Sequence, residues 1–390
     1  MSPSIRFPEF TGEWKKCKLG ILATKVGSGS TPKGGDAVYT SIGHYFVRSQ
    51  NVGMGFLMLD NIAHINDDIH QKHKATEIYE NDVLLNITGA SIGRTAVATK
   101  ELEGGNVNQH VCIIRTNSKV NPKFLCDYIQ TQRIQNHIKS LQTGGSREGL
   151  NFEQIRSFPI SLPSINEQNK LTCLLDKINE RIATQVRLIE DLKKLRCAIV
   201  EKMFKQSKAN GRLGDFIEQV SVRNKNGLYS NVLSVSNKQG FVKQSEQFED
   251  RTVASEDTSN YKIVKRNNFA YNPARINVGS IARLTKFDVG IVSPMYVCFR
   301  TKASIIPEYM EAFFTSQQFF YEMMKRLEGS VRLCLSYEGL CNIPVYIPDM
   351  NKQIAMGQNI SLILSKIGLE IEYLGRLHQQ KQYLLRKMFI

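Results

Sequence analysis

The chain has 390 residues, 42% hydrophobic and 22% charged, a balance that fits globular domains and excludes a largely disordered protein. Lysine and arginine exceed aspartate and glutamate by 51 − 36 = 15, and such a surplus on a soluble chain points to a polyanionic partner. No apolar run reaches 18 residues and the opening MSPSIRFPEFTGEW has no apolar signal core, so the expectation is a cytoplasmic protein with no membrane span. Length alone predicts two or three domains. Cys17, Cys112, Cys126, Cys173, Cys197, Cys298, Cys334 and Cys341 form no CxxC pair, so neither a zinc site nor a disulfide framework is expected.

The first informative segment is Gly27–Lys33. Val26-Gly27-Ser28-Gly29 begins like a dinucleotide loop, but Pro32 stands where the third glycine belongs. Gly29 and Gly34 have P-loop spacing, yet Gly35-Asp36 follows in place of Lys-Ser/Thr. His64, Asp67, Asp68, His70 and His73 are the one metal-like cluster, in a polar segment that reads better as solvated surface, so no metal site is expected. Strands follow at Val83–Ile87, Arg94–Ala98 and Val111–Arg115, then a helical segment Pro122–Leu141 with proline in its first turn, then a strand Phe158–Leu162. Ser164 and Glu167 form a capping box that opens a long helix.

That helix carries an unbroken heptad stripe: Leu171, Leu175, Ile178, Ile182, Gln185, Ile189, Leu192, Arg196, Ile199, Met203. The whole plan then recurs. A shift of 185 residues superposes Arg115-Thr116 on Arg300-Thr301, Pro122 on Pro307, Leu150 on Leu335, Pro159 on Pro344, Gln168 on Gln353 and Lys202-Met203-Phe204 on Lys387-Met388-Phe389. The second copy predicts strands at Phe269–Asn272, Ser280–Leu284, Tyr296–Arg300 and Ile343–Ile347, and a helical segment Pro307–Leu327. Its heptad runs Met356, Ile360, Ile363, Ile367, Glu370, Leu374, Leu377, Lys381, Leu384, Met388, with polar exceptions at the same two layers.

Fold class is therefore α+β: two tandem α/β domains joined by two long helices that form an antiparallel coiled coil, the halves related as a pseudo-two-fold internal repeat. Each helix of about 40 residues would run about 60 Å. Residues 1–163 and 211–348 are read as the two mixed domains, and 164–207 and 349–390 as the helices.

No nucleophile, base and orienter assemble, so the chain reads as a binder with no catalytic residues. The loops between strands supply candidate DNA contacts: Ser28, Ser30, Thr31 and Lys33; Thr88, Ser91 and Arg94; Asn108 and Gln109; Ser146 and Arg147; and, in the second copy, Arg275 and Asn277 with Ser330 and Arg332. Glycines let backbone approach closely, hydroxyls reach phosphates, and arginine and asparagine pair naturally with guanine and adenine edges.

The architecture resembles the specificity (S) subunit of type I restriction-modification enzymes, over essentially the full chain. The resemblance is carried by Arg6-Phe7-Pro8-Glu9-Phe10 and Gly12-Glu13-Trp14, Thr88–Arg94, Gly144–Arg147, Pro159–Pro163 before Glu167-Gln168, and the helices ending in Lys202-Met203-Phe204 and Lys387-Met388-Phe389. It implies two target recognition domains, each reading one half of a bipartite double-stranded DNA target. It also implies a helical spacer that docks two methyltransferase (M) subunits and, through the complex, restriction (R) subunits. No cofactor is implied on this chain: S-adenosylmethionine belongs to the adenine-methylating partner, and ATP with Mg to the endonuclease partner. Two other readings stand beside it, a coiled-coil protein-interaction adapter and the specificity module of a fused type II-like system.

Overall fold

The computed structural model describes residues 3–142, 149–205, 208–237, 239–244, 257–329 and 332–390. The chain forms two compact units, Met1–Gln185 with Tyr373–Ile390, and Val186–Glu372.

In the first unit the strands are β1 (Lys15–Lys18), β2 (Ala23–Ser28), β3 (His44–Val47), β4 (Ala63–Ile65), β5 (Val83–Asn86), β6 (Thr95–Val97), β7 (Asn106–Val107), β8 (Val111–Thr116) and β9 (Pro159–Leu162). An antiparallel sheet in the order β2-β8-β5-β6 is its centre, with a smaller sheet β4-β3-β7 and the pair β1-β9. Both faces of the central sheet are covered, which is why Val83–Leu85 in β5 and Val111–Ile114 in β8 are apolar at successive positions. Leu85 and Ile114 face a cluster with Phe124, Tyr128 and Phe158, whereas Leu84 and Ile113 face Val47, Ile78 and Val107.

The second unit repeats this plan with β10 (Gly211–Arg212), β11 (Ile217–Gln219), β12 (Leu233–Ser236), β13 (Gly240–Lys243), β14 (Lys262–Lys265), β15 (Phe269–Tyr271), β16 (Ile281–Arg283), β17 (Val289–Val292), β18 (Val297–Thr301) and β19 (Pro344–Val345). The sheet order β11-β18-β15-β16 is the counterpart of β2-β8-β5-β6, and β10-β19 that of β1-β9. All eight strands expected from the sequence are present, shifted by one or two residues at their ends.

The expected single helix Pro122–Leu141 is two helices, Pro122–Gln130 and Gln132–Ser140. Thr131 takes an extended conformation and its hydroxyl accepts from the Ile134 amide, so it caps a new helix rather than continuing the old one. Ser316 does the same for Phe319, dividing the second segment into Pro307–Phe314 and Gln317–Met324. The capping box at Ser164 is half made. Ser164 Oγ accepts from the Glu167 amide at 3.3 Å, but the Glu167 carboxylate accepts from Arg6 at 2.7 and 2.8 Å and from Trp14 Nε1 at 3.2 Å.

The two long helices are Ile165–Lys205 and Met350–Met388. Every residue of both heptad stripes is buried or half-buried. In the first unit Leu171 and Leu175 share a core with Leu385, Met388 and Phe389, while Arg181 bonds Tyr373 at 3.4 Å, so the start of one helix packs antiparallel on the end of the other. The second unit mirrors this, with Val200 and Phe204 packed with Ile360 and Met356. Towards these helix ends burial widens to neighbouring positions, because there each helix also seats on an α/β core. Two of the polar exceptions have partners in the α/β domains: Lys381 Nζ donates to Gln130 Oε1 at 3.1 Å, and Arg196 lies in the field of Glu311.

Candidate nucleic-acid interface

Strand order brings together loops that lie far apart in sequence. Ser28 is opposite Cys112, Asn86 opposite Val111, and Leu85 opposite Thr95, so the chain leaves β2 and β5 and enters β8 and β6 at one end of the sheet. Gly27–Lys33, Thr88–Arg94 and Asn106–His110 therefore share a rim. Leu150 donates its amide to Ile87 O at 2.8 Å, bringing the chain after residue 148 to the same rim.

A side-chain network braces these loops. Ser30 Oγ meets His73 Nδ1 at 3.0 Å, Thr31 Oγ1 donates to Gln109 Oε1, and Gln109 Nε2 donates to His110 Nε2 at 3.2 Å. That leaves the imidazole proton on Nδ1, from which it is given to Thr88 Oγ1 at 2.5 Å. Asn108 is buried, its Oδ1 accepting from the His110 amide at 3.0 Å. Gly29 is fixed here by contact, since a Cβ would lie 1.7 Å from Val107 O. In the polar segment downstream, His44 Nε2 bonds Asp67 at 2.7 Å and stacks on His70, and His70 Nδ1 bonds Asn106 at 2.8 Å.

The second unit builds the same rim from other residues. Tyr271 is opposite Val297 and Ile281, so Asn272–Ser280 and the chain before β18 emerge together. Leu335 donates to Pro273 O at 3.1 Å, and Glu328 and Cys334 exchange backbone bonds at 2.9 and 2.8 Å, which brings Arg332, two residues before Cys334, to this end. Gly93 and Gly279 precede the exit strands with φ of 87° and 91°, a left-handed turn that suits glycine.

Of the candidate residues, Lys33, Arg94, Arg275 and Arg332 are exposed and make no side-chain hydrogen bond or ion pair among the described residues. Ser28, Ser91 and Asn277 are half-buried at the rim, and Ser30, Thr31, Thr88, Asn108 and Gln109 are engaged in bracing it. Ser146, Arg147 and Ser330 lie outside the described residues. The sequence reading passed over the turn after β3: Ser49 O accepts from Asn86 Nδ2 at 2.8 Å and Val47 O from the Asn108 amide at 3.1 Å, so Arg48 sits inside the rim. Its signal was a lone Arg-Ser-Gln-Asn after a short strand.

The type I restriction modification DNA specificity domain family matches residues 11–194. Residues 11–194 thus carry the mark of a type I restriction-modification DNA specificity domain. The Type I restriction enzyme EcoBI specificity subunit of Escherichia coli is 24% identical over 135 residues, 34% of this chain and 28% of that protein. The chain thus aligns with under a third of that relative's length. The type I S subunit from M. genitalium has the same fold, with a TM-score of 0.60 at 17% identity, over 100% of this chain and 99% of that one. A solved chain from work on complex assembly and conformational transition of the type I R-M system gives 0.59 at 14% identity, over 98% of each. These full-length matches show that the shared fold runs over both units. Among the described residues no helix is long and apolar enough to cross a membrane.

Proposed function

We propose that this chain is the DNA sequence-recognition subunit of a type I restriction-modification complex. In this reading residues 1–163 and 211–348 are target recognition domains, each reading one half of a bipartite target. The helices within 164–207 and 349–390 set the gap between the half-sites and dock two methyltransferase subunits, through which restriction subunits join. The chain supplies no catalytic group. S-adenosylmethionine is held by the methyltransferase, and ATP with Mg by the restriction subunit.

The observation that carries this reading is the twice-built rim. Equivalent sheets present glycine-framed loops at equivalent ends, each with an exposed arginine that has no side-chain partner among the described residues, yet the loop residues differ between the units. Phosphate and base contacts both call for such cations, and differing loops suit differing half-sites. Leu362 and Leu369, 69% and 60% exposed and one heptad apart on the second long helix, supply apolar docking surface for a protein partner. The test is to sequence methylated adenines in DNA from cells expressing this chain with its methyltransferase. A split, asymmetric motif is expected; methylation without a motif, or a contiguous motif, overturns the proposal.

A further inference from the structure

We infer that Arg48 is a specificity-determining residue of the first unit, its guanidinium fork contacting a base edge in that unit's half of the target. The inference rests on the DNA-recognition reading and adds to it a side chain outside the glycine-framed loops.

Arg48 follows β3 at the point where two sets of rim loops meet. On one side Val47 O accepts from the Asn108 amide at 3.1 Å, and Asn108 O in turn accepts from Gly29 at 3.2 Å. On the other, Asn86 Nδ2 donates to Ser49 O at 2.8 Å, and Asn86 itself accepts nothing at its buried Oδ1. The Asn86 amide is bonded to Arg94 O at 2.8 Å, which places the Arg48 turn beside the Thr88–Arg94 loop.

The turn is held without the guanidinium. The Arg48 amide donates to Asn51 Oδ1 at 3.0 Å, the Asn51 amide returns to Arg48 O at 2.8 Å, and Asn51 Nδ2 donates to Met58 O at 2.9 Å. The Arg48 side chain instead lies over the Tyr39 ring, 5.4 Å from its centroid. It makes no ion pair among the described residues, and its Nε is buried with no hydrogen-bond partner. This sets it apart from Arg6 and Arg115, which are neutralised by Glu167 and Asp82.

A guanidinium carries five donors and no acceptor, so a half-buried one without a carboxylate is an incomplete site for an acceptor pair. Stacking on Tyr39 restricts its rotamers before binding, which favours a fixed fork over a mobile point charge. A guanine edge, with two acceptors side by side, fits that fork. In the second unit Val235 O, inside β12, accepts from Ser280 Oγ at 3.1 Å, and the exposed Asn237 follows that strand.

The experiment assembles the full chain with its methyltransferase partner and sequences methylated adenines for wild type, Arg48→Lys and Arg48→Ala. Both variants are expected to relax one base position in one half of the motif, methylation at sites altered there rising about tenfold or more, with the other half unchanged. An unchanged motif in both variants overturns the inference. So does a uniform loss in Arg48→Ala that Arg48→Lys restores, the signature of a phosphate contact, or loss of folding in both variants by circular dichroism, the signature of a structural arginine. If wild type itself gives no split motif, the underlying recognition reading fails first, and this inference with it.

Discussion

Gln168 and Gln353, 185 residues apart, make the same three hydrogen bonds. Gln168 Oε1 accepts from the Asn121 amide at 2.8 Å, and its Nε2 donates to Lys119 O at 3.2 Å and Pro163 O at 3.0 Å. Gln353 accepts from Ile306 at 3.0 Å and donates to Ser304 O at 3.1 Å and Pro348 O at 2.9 Å. Each set of partners is the other displaced by 185 positions, and the two side chains are 0% and 1% exposed. Each glutamine ties the first turn of a long helix to the loop before the proline-started helix of its unit. The repeat is thus preserved at the level of single polar atoms.

Replacing Gln168 with leucine keeps the volume and strands the Asn121 amide and two carbonyls in a dry site. The expected cost is about 2–4 kcal/mol, because buried polar groups left unpaired carry their full desolvation penalty. Trp14 is the sole tryptophan and is buried in the first unit, so urea unfolding followed by its fluorescence measures the effect. A midpoint unchanged from wild type would mean that water satisfies the stranded groups.

The central strands were legible because cover on both faces makes them continuously apolar, as at Val83-Leu84-Leu85, and turn residues bound them. The long helices were legible because one stripe stays buried over many turns. Thr131 was not, because a cap inside a continuing periodic pattern looks like any half-polar helical residue. Two- and three-residue strands such as β7 and β4 offer no periodicity to read. In the candidate interface, the glycine-framed loops could be picked out one by one. Their convergence depends on the order β2-β8-β5-β6, which no local pattern specifies, and so does the division between bracing side chains such as Gln109 and unpartnered ones such as Arg94. Lys381 read as a coiled-coil polar layer because its partner Gln130 is 251 residues away.

Arg94→Ala and Arg275→Ala are each expected to weaken recognition in a different half of the target. The cost is about 1–3 kcal/mol if the lost contact is bidentate to a base. Both side chains are exposed and unpartnered among the described residues, so their removal should leave folding intact. Binding of the methyltransferase-assembled chain to a panel of altered half-sites is the measurement. Equal loss on every sequence would make these arginines phosphate contacts.

The last turn of the chain closes the first unit's core. Phe389 is 6% exposed, with its ring 5.4 Å from Phe124 and 6.3 Å from Trp14. Phe389→Ala should cost about 3–5 kcal/mol and shift the native emission of Trp14 to longer wavelength as water reaches the indole. Its counterpart Phe204 packs on Tyr309 at 5.3 Å and Phe313 at 5.2 Å in the second unit. Phe204→Ala is expected to carry a similar cost with the native emission unmoved, and equal spectral shifts from the two variants would contradict this assignment.

Asp127 makes the first unit's stability depend on pH. Burial pushes its carboxyl up to about 7, against the opposing pull of Lys381; Asp176 adds to the rise, while Lys123 and a hydrogen bond from Gln130 Nε2 at 3.3 Å oppose it. The folded state therefore holds the proton more tightly than the unfolded chain, whose aspartates titrate near about 3.9. The stabilisation is fully present below that value and is lost as pH rises through about 7. Asparagine at 127 keeps the shape and removes the titration, so the stability of Asp127→Asn relative to wild type should climb between pH 4 and 7 and level off above, whatever the constant offset. Removing the opposing cation with Lys381→Met should carry the wild-type carboxylate's loss to higher pH. Thermal unfolding followed through Trp14 across that range checks both. A relative stability that falls with rising pH would show instead that Lys381 holds Asp127 ionised in the fold.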